Sequence, residues 1–218
     1  MRLCALCVAL VVGGIVLVAP ASAANLLLNP GFELGTDTDA DNWTQVTTGN
    51  LANTNPRVER TDESPWSGDF AMRLSYSNIA SPGGGSTAVV RQDTAPGSII
   101  PGESYDFSFY ARREGAFGGG TVANFQVVFL DSVGGTLPSP GSTSMSVSGD
   151  YSFFGVTDLV APAEGHSARV FIRLTGGAVG NASAIMFVDD VNLTAVPEPA
   201  ALSLLGLGAL GLLRRRRC

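Results

Sequence analysis

Two carboxylates sit where the sequence pattern leaves little water. In IMFVDDVNLT, Ile185 to Thr194, the two-residue period of a strand puts Asp189 on the face of Phe187, Val191 and Leu193, with Asp190 on the opposite, solvated face. A carboxylate among apolar side chains needs a cation or several hydrogen-bond donors. Near the other end, in NLLLNPGFEL from Asn25 to Leu34, Phe32 belongs to the core and Glu33 beside it needs a partner as well. Carboxylate oxygens are hard ligands of the kind Ca²⁺ takes; the alternative is a carboxylate that accepts backbone and hydroxyl hydrogen bonds. A third acidic stretch, GTDTDADN, spaces Asp37, Asp39 and Asp41 as an EF-hand loop begins. Asn42 then stands where that loop turns on glycine and Thr48 where its bidentate glutamate belongs, so a solvated acidic turn is the expectation.

A second chemistry is sugar recognition, which asks for aromatic faces against the apolar side of a pyranose and planar polar groups for its hydroxyls. Tyr110, Arg112, Gln126, Arg73, Arg169 and Phe171 take outward positions on alternating strands, with Trp66, Phe117 and Tyr151 in or beside loops. Singly, each is compatible with ordinary surface or core edge. They would act together only if the fold brought them to one sheet face. Catalysis finds little support: the single histidine, His166, follows Gly165 in a turn-like context, and neither a G-x-S-x-G elbow nor an H-E-x-x-H pair occurs.

The elements that must position these residues are strands. Phe70, Met72, Leu74 and Tyr76 alternate with Ala71, Arg73 and Ser75. Tyr105, Phe107, Phe109 and Ala111 alternate with Asp106, Ser108, Tyr110 and Arg112; Phe125, Val127 and Phe129 with Asn124 and Gln126; and Val170, Ile172 and Leu174 with Arg169, Phe171 and Arg173. About nine such strands, with turns between them and no convincing helix away from the two ends, predict an all-β antiparallel β-sandwich over residues 25–195. That region holds eight arginines, no lysine and eighteen acidic residues, a charge near −10. The balance excludes nucleic acid as a partner, and the missing lysine excludes Schiff-base and P-loop chemistry. Its cysteine count is zero, because Cys4, Cys7 and Cys218 lie in the end segments, so no disulfide holds the domain together.

The NPGFE opening and the FVDDV closing stretch resemble the first and last strands of carbohydrate-binding modules and other galactose-binding-like jelly rolls. In those families the two strands are neighbours with a structural calcium between them. The resemblance therefore implies Ca²⁺ held by Glu33, Asp189 and the main-chain oxygen of Gly31, with help from the loop near Trp66 to Gly68. It also implies glycan binding, for which Arg73, Tyr110, Arg112, Gln126 and Phe171 are the ligand-contact candidates.

Both ends carry addresses. Residues 1–24 read as a signal peptide: Arg2, an apolar run from Leu3 to Val18, and the small-x-small site Ala21-Ser22-Ala23. Residues 196–218 read VPEPAALSLLGLGALGLLRRRRC: the cluster Val196, Pro197, Glu198, Pro199, an uncharged run from Ala200 to Leu213, and then Arg214, Arg215, Arg216 and Arg217. The run suits hydrocarbon as a transmembrane helix and the arginines stay cytoplasmic. As fourteen helical residues reach about 21 Å against about 30 Å of hydrocarbon, the flanking segments must help to span it. This order resembles the PEP-CTERM sorting signal of exported bacterial proteins. It implies an exosortase-type processing enzyme as partner, an inner-membrane anchor that is at least transient, and delivery to the cell envelope or extracellular matrix. The expectation is a non-enzymatic exported β-sandwich that binds glycan or forms part of an extracellular polysaccharide matrix. The alternatives are a polysaccharide-active enzyme using a carboxylate pair and a structural surface protein with no small ligand.

Overall fold

The structure, a computed structural model, describes residues 23–49, 55–77, 86–176 and 183–197. The signal segment through residue 22, Glu198, Pro199, the run from Ala200 to Leu213 and Arg214 to Arg217 lie outside them. Among the described residues no helix is long and apolar enough to cross a membrane.

The alternating stretches all form strands, β5 (Ala71–Ser77), β7 (Ser104–Glu114), β8 (Val122–Leu130), β11 (Ser167–Thr175) and β12 (Ser183–Ala195), and β3 (Thr44–Thr48), β4 (Arg57–Thr61), β6 (Thr87–Asp93) and β10 (Ser152–Val160) complete the nine expected. Three short strands were not legible in the pattern: β1 (Gly35–Thr36), β2 (Asp39–Ala40) and β9 (Thr143–Met145). Two five-stranded antiparallel sheets result, ordered β10-β7-β12-β5-β4 and β3-β6-β11-β8-β9, while β1 and β2 form a small hairpin. That hairpin is the acidic turn, and Asp37, Asp39 and Asp41 on it are exposed.

The inner faces of the two sheets meet in one apolar core. Phe107 and Phe109 of β7 pack on Phe125 of β8 with ring centroids 5.7 and 5.3 Å apart, and Tyr105 meets Phe129 edge-on at 6.2 Å. Met72, Leu74, Ile172, Leu174, Met186 and Leu193 fill the layer between and expose no surface. Without a disulfide, this burial carries the stability, at roughly 25 cal/mol per Å² of apolar surface.

The opening stretch departs from expectation, because residues 25–28 do not form a ladder strand. Pro30 cannot donate to a ladder, and side chains replace it. Leu26 N donates to Leu193 O, and Leu193 N donates to the Asn25 Oδ1. Buried Gln92 of β6 accepts from Leu28 N and donates to Leu28 O and Asn42 O. The segment therefore lies beside β12, as neighbours of the first and last stretches should, while hanging on one glutamine of the opposite sheet.

The second departure changes which way the acidic residues point. β12 pairs with β7 as Phe187↔Arg112 and Asp189↔Tyr110, then resumes as Asn192↔Ser108. The extra residue makes a β-bulge, with Asp190 in the left-handed region at φ 49°. Ala184, Met186 and Val188 face the core before it, Val191 and Leu193 after it. Phe187 and Asp189 thus do not share the face of Val191 and Leu193; they stand on the outer face beside Arg112 and Tyr110. A second bulge, between Val156 and Leu159 of β10, flanks β7 on its other side, with Asp158 at φ 58°. Aspartate is among the few non-glycine residues that enter this region readily.

Candidate functional site

The outer face of the β10-β7-β12-β5-β4 sheet collects most of the chemistry. Ser108, Tyr110, Arg112 and Glu114 run along β7, flanked by Phe187, Asp189 and Asn192 of β12, then by Arg73 of β5 and Glu59 of β4, with Phe153 of β10 on the other side. Residues 62–70 fold over this face, and two carboxylates hold them there. Asp189 Oδ2 accepts from Trp66 N at 2.8 Å and Ser67 N at 3.0 Å, and its Oδ1 accepts from Asp190 N at 2.7 Å. Glu33 accepts from Asp69 N at 3.1 Å and Phe70 N at 3.3 Å. Gly68, at φ 61°, lets the chain pass so closely that a Cβ would lie 2.1 Å from Glu33 Oε1. The first link of this chain is local: Phe32, in a left-handed conformation at φ 59°, turns Glu33 toward the loop, and buried Arg60 clamps the turn by donating to Phe32 O at 2.6 Å and Glu33 O at 2.7 Å.

The loop so held presents an aromatic cluster. Trp66, 47% exposed, stacks on Tyr110 at 4.5 Å and 19° and tilts against Tyr151 at 5.5 Å. Tyr110 meets Phe153, 63% exposed, edge-on at 5.6 Å. The Tyr151 hydroxyl donates to Ser64 O at 2.6 Å. Burial raises the Tyr151 hydroxyl well above the usual phenol range, and nearby Asp189 adds to this against the opposing charge of Arg112. Burial also pushes the Asp189 carboxyl up to about 6, against hydrogen bonds from Ser67, Asp190 and Trp66 that pull it down.

Beside the aromatics the polar groups are unequally satisfied. Glu59 takes both Arg57, at 3.1 Å, and Arg73, at 3.5 Å. Arg112 lies over the Phe187 ring at 5.3 Å and has no hydrogen-bond or ion-pair partner among the described residues. Arg73 Nε, Arg112 Nε and Asn192 Oδ1, all on this face, are buried atoms without a hydrogen-bond partner among the described residues. Two depressions flank the cluster. One of about 430 Å³ is lined by Ser108, Tyr110, Phe153 and Asn192, and one of about 520 Å³ by Arg57, Arg73, Ser75, Glu114 and Ile185.

The ligand-contact candidates thus divide. Arg73, Tyr110 and Arg112 meet on this face, joined by Trp66 and Tyr151. Gln126 and Phe171 lie on the outer face of the other sheet, where Arg173 donates to Gln126 Oε1 at 3.2 Å and covers Phe171 at 4.5 Å. Arg169 beside them is a bidentate partner of Asp93, at 2.5 and 2.6 Å. Phe117 packs against the core edge under Arg113. The sequence pattern does not single out Phe153, and without the bulge it places Phe187 on the core face of Val191 and Leu193.

Glu33, Gly31 and Asp189 do come together, since a Cβ on Gly31 would lie 3.6 Å from Asp189 Oδ1, 3.5 Å from Asp190 Oδ1 and 3.8 Å from Glu33 Cγ. Among the described residues no three His, Cys, Asp or Glu side chains gather in a geometry that could hold a metal ion.

Residues 195–217 match the PEP-CTERM protein-sorting motif. A search of curated proteins gives no match. Among solved structures, the chain is similar to the enzymatically active domain of tailspike protein 4 of bacteriophage CBA120, at 17% identity and TM-score 0.59 over 79% of this chain and 21% of that one. It is similar to TmCBM61, solved with β-1,4-galactotriose, at 18% identity and TM-score 0.51 over 80% of this chain and all of that one. It is equally similar to a Stig cyclase, Fisc, from Fischerella sp. TAU, at 18% identity and TM-score 0.52 over 82% of this chain and all of that one. The chain spans about a fifth of the tailspike domain. The chain thus carries a PEP-CTERM sorting motif at its C-terminal end, and its β-sandwich has the fold of a carbohydrate-binding module.

Proposed function

We propose that the protein binds polysaccharide, without turning it over, through the outer face of the β10-β7-β12-β5-β4 sheet. The observation that carries this is the cluster of exposed Trp66 and Phe153 about half-buried Tyr110, set among buried polar atoms with no hydrogen-bond partner among the described residues. Native proteins leave few such atoms, and those that exist mark places where a ligand or water completes the bonding. A sugar offers both parts: an apolar ring face for the aromatics and hydroxyls for Arg73, Arg112 and Asn192. The galactotriose complex of a fold relative supports sugar as the ligand class, while the Fischerella cyclase is why fold alone does not decide. Asp189, raised to about 6, has the pKa of a general acid, yet it exposes no surface and is bonded to three backbone N–H groups, which favours a structural role over catalysis.

The sorting motif supplies the setting: processing at Val196 to Pro199 by an exosortase-type enzyme, after which the domain meets extracellular polysaccharide in the envelope or matrix. The test is affinity electrophoresis of the purified full chain in gels cast with galactan, xylan or acidic polysaccharides. Retention by at least one polymer is expected, with Trp66→Ala losing about tenfold or more of the affinity. Accumulation of reducing ends in the same mixtures would replace binding by catalysis; unretarded migration in every gel would favour the purely structural reading.

Calcium belongs to the same proposal. Glu33 and Asp189, converging on Gly31, are the oxygen donors that would hold it, and Ca²⁺ would there tie the first segment, the 62–70 loop and β12 together. Their oxygens already accept backbone N–H groups, so the ion would share those lone pairs. Chelator-treated protein is expected to melt several degrees higher with millimolar Ca²⁺, and the double variant Glu33→Ala, Asp189→Ala to lose that rise. A flat calorimetric titration of the unmodified chain would remove calcium from the account.

A further inference from the structure

Resting on the glycan-binding reading, we infer that the polymer is acidic and that Arg112 takes the carboxylate of a uronic acid residue. Charge pairing on this face is the starting point. Arg57 and Arg73 share Glu59, and Arg73 also approaches Glu63 at 3.8 Å, so both are neutralised locally. Arg112 is not. It is half-buried, its Nε is sealed from water without a partner, and the Phe187 ring below it, 1% exposed, offers only a cation–π contact. A guanidinium stripped of part of its water and left unpaired is costly. A sugar hydroxyl would satisfy a nitrogen but leave the charge. A planar carboxylate can meet the terminal nitrogens of the guanidinium and neutralise its charge.

The position suits a sugar ring as well as a charge. Arg112 and Tyr110 are alternate residues of β7 and point the same way, so the fork stands about 7 Å along the strand from the ring that stacks on Trp66. That is roughly the spacing at which one sugar can lie on the aromatics while the carboxylate of the same or the next unit reaches Arg112. Of the acidic groups nearest in the fold, Asp189 is engaged by three backbone N–H groups and Glu59 by two arginines, while exposed Glu114, the next outward residue of β7, forms no ion pair with Arg112. With the region between the two end segments near −10, indiscriminate adsorption of a polyanion is opposed, so retention of one would report a specific contact.

The experiment compares polygalacturonate, its fully methyl-esterified form, alginate and neutral β-1,4-galactan as probes for the purified full chain, with chelator present throughout to exclude calcium-bridged gels. Esterification keeps the backbone and deletes the charge. Expected is about tenfold or more tighter binding of at least one uronate polymer than of the neutral polymers, abolished in Arg112→Gln and partly kept in Arg112→Lys. Trp66→Ala should weaken every polymer that binds. Circular dichroism and melting of Arg112→Gln, which keeps a polar side chain of similar reach, show whether the sheet face is intact. Equal affinity for acid and ester, a uronate preference that survives Arg112→Gln, or binding of neutral galactan alone would overturn the acidic-sugar assignment while a Trp66 dependence left the glycan face standing. Failure of all four polymers, with no effect of Trp66→Ala, would overturn both.

Discussion

Asp189 shows how one residue can be structural and chemically strained at once. It exposes no surface and accepts three backbone N–H groups, yet burial outweighs them and its pKa moves from 3.8 to about 6. Between those values the folded protein binds a proton that the unfolded chain has released, so this group's contribution to stability falls as pH rises from about 4 to about 6 and is constant above. The whole effect is on the order of 3 kcal/mol. Denaturant unfolding in chelator should therefore show the stability difference between the natural chain and Asp189→Asn shrinking across that window. Parallel pH profiles for the two proteins would mean that the carboxyl titrates normally.

Among the elements, the 62–70 loop carries Trp66, and its conformation depends on a single glycine. At Gly68 a methyl group would meet Glu33 Oε1 at 2.1 Å in a backbone region unfavourable to alanine. Gly68→Ala is expected to cost about 1–3 kcal/mol and to lower polysaccharide retention with it, because Trp66 rides on the same loop. Gly141→Ala, where a Cβ has nothing within 4 Å, is the control and should stay within about 0.5 kcal/mol. Similar losses in both would point to a general intolerance of the loops. The bulge in β12 is the loop's counterpart: it turns Asp189 outward to the N–H groups of Trp66 and Ser67, which would otherwise find no acceptor there.

For the molecule as a whole, stability rests on the interface between two sheets with no covalent tie across it. Phe109, fully buried, touches Phe107 and Phe125 at 5.5 and 5.3 Å and stacks on Phe154 at 5.8 Å. Phe109→Ala should cost about 3–5 kcal/mol by denaturant titration, against a marginal total of 5–15 kcal/mol for a typical domain. A loss below about 1 kcal/mol would mean that the cavity collapses and the two sheets are more pliant than their packing suggests. The charge of the molecule adds a constraint on its surroundings, since an acidic body opposes indiscriminate adsorption of polyanions.

By itself the sequence determined the all-β class, the strands from β3 to β12 with the exception of β9, and the address at residues 195–217; it marked Asp189 as buried but on the core face, whereas the 62–70 loop covers it on the outer one. Those signals are local: a period of two, a turn residue, a Pro-Glu-Pro cluster before an apolar run. Tertiary structure alone decided that Arg73, Tyr110 and Arg112 share a face while Gln126 and Phe171 lie on the other, because strand neighbours are set by pairing across many tens of residues. It also decided the direction of Asp189. One inserted residue reverses every later side chain, and two adjacent aspartates in an apolar strand look the same with or without the insertion. Arg60 was hidden for a related reason: as an arginine in a short polar strand it reads as surface, and only the turn at Phe32, folded against it from 28 residues away, makes it a buried clamp.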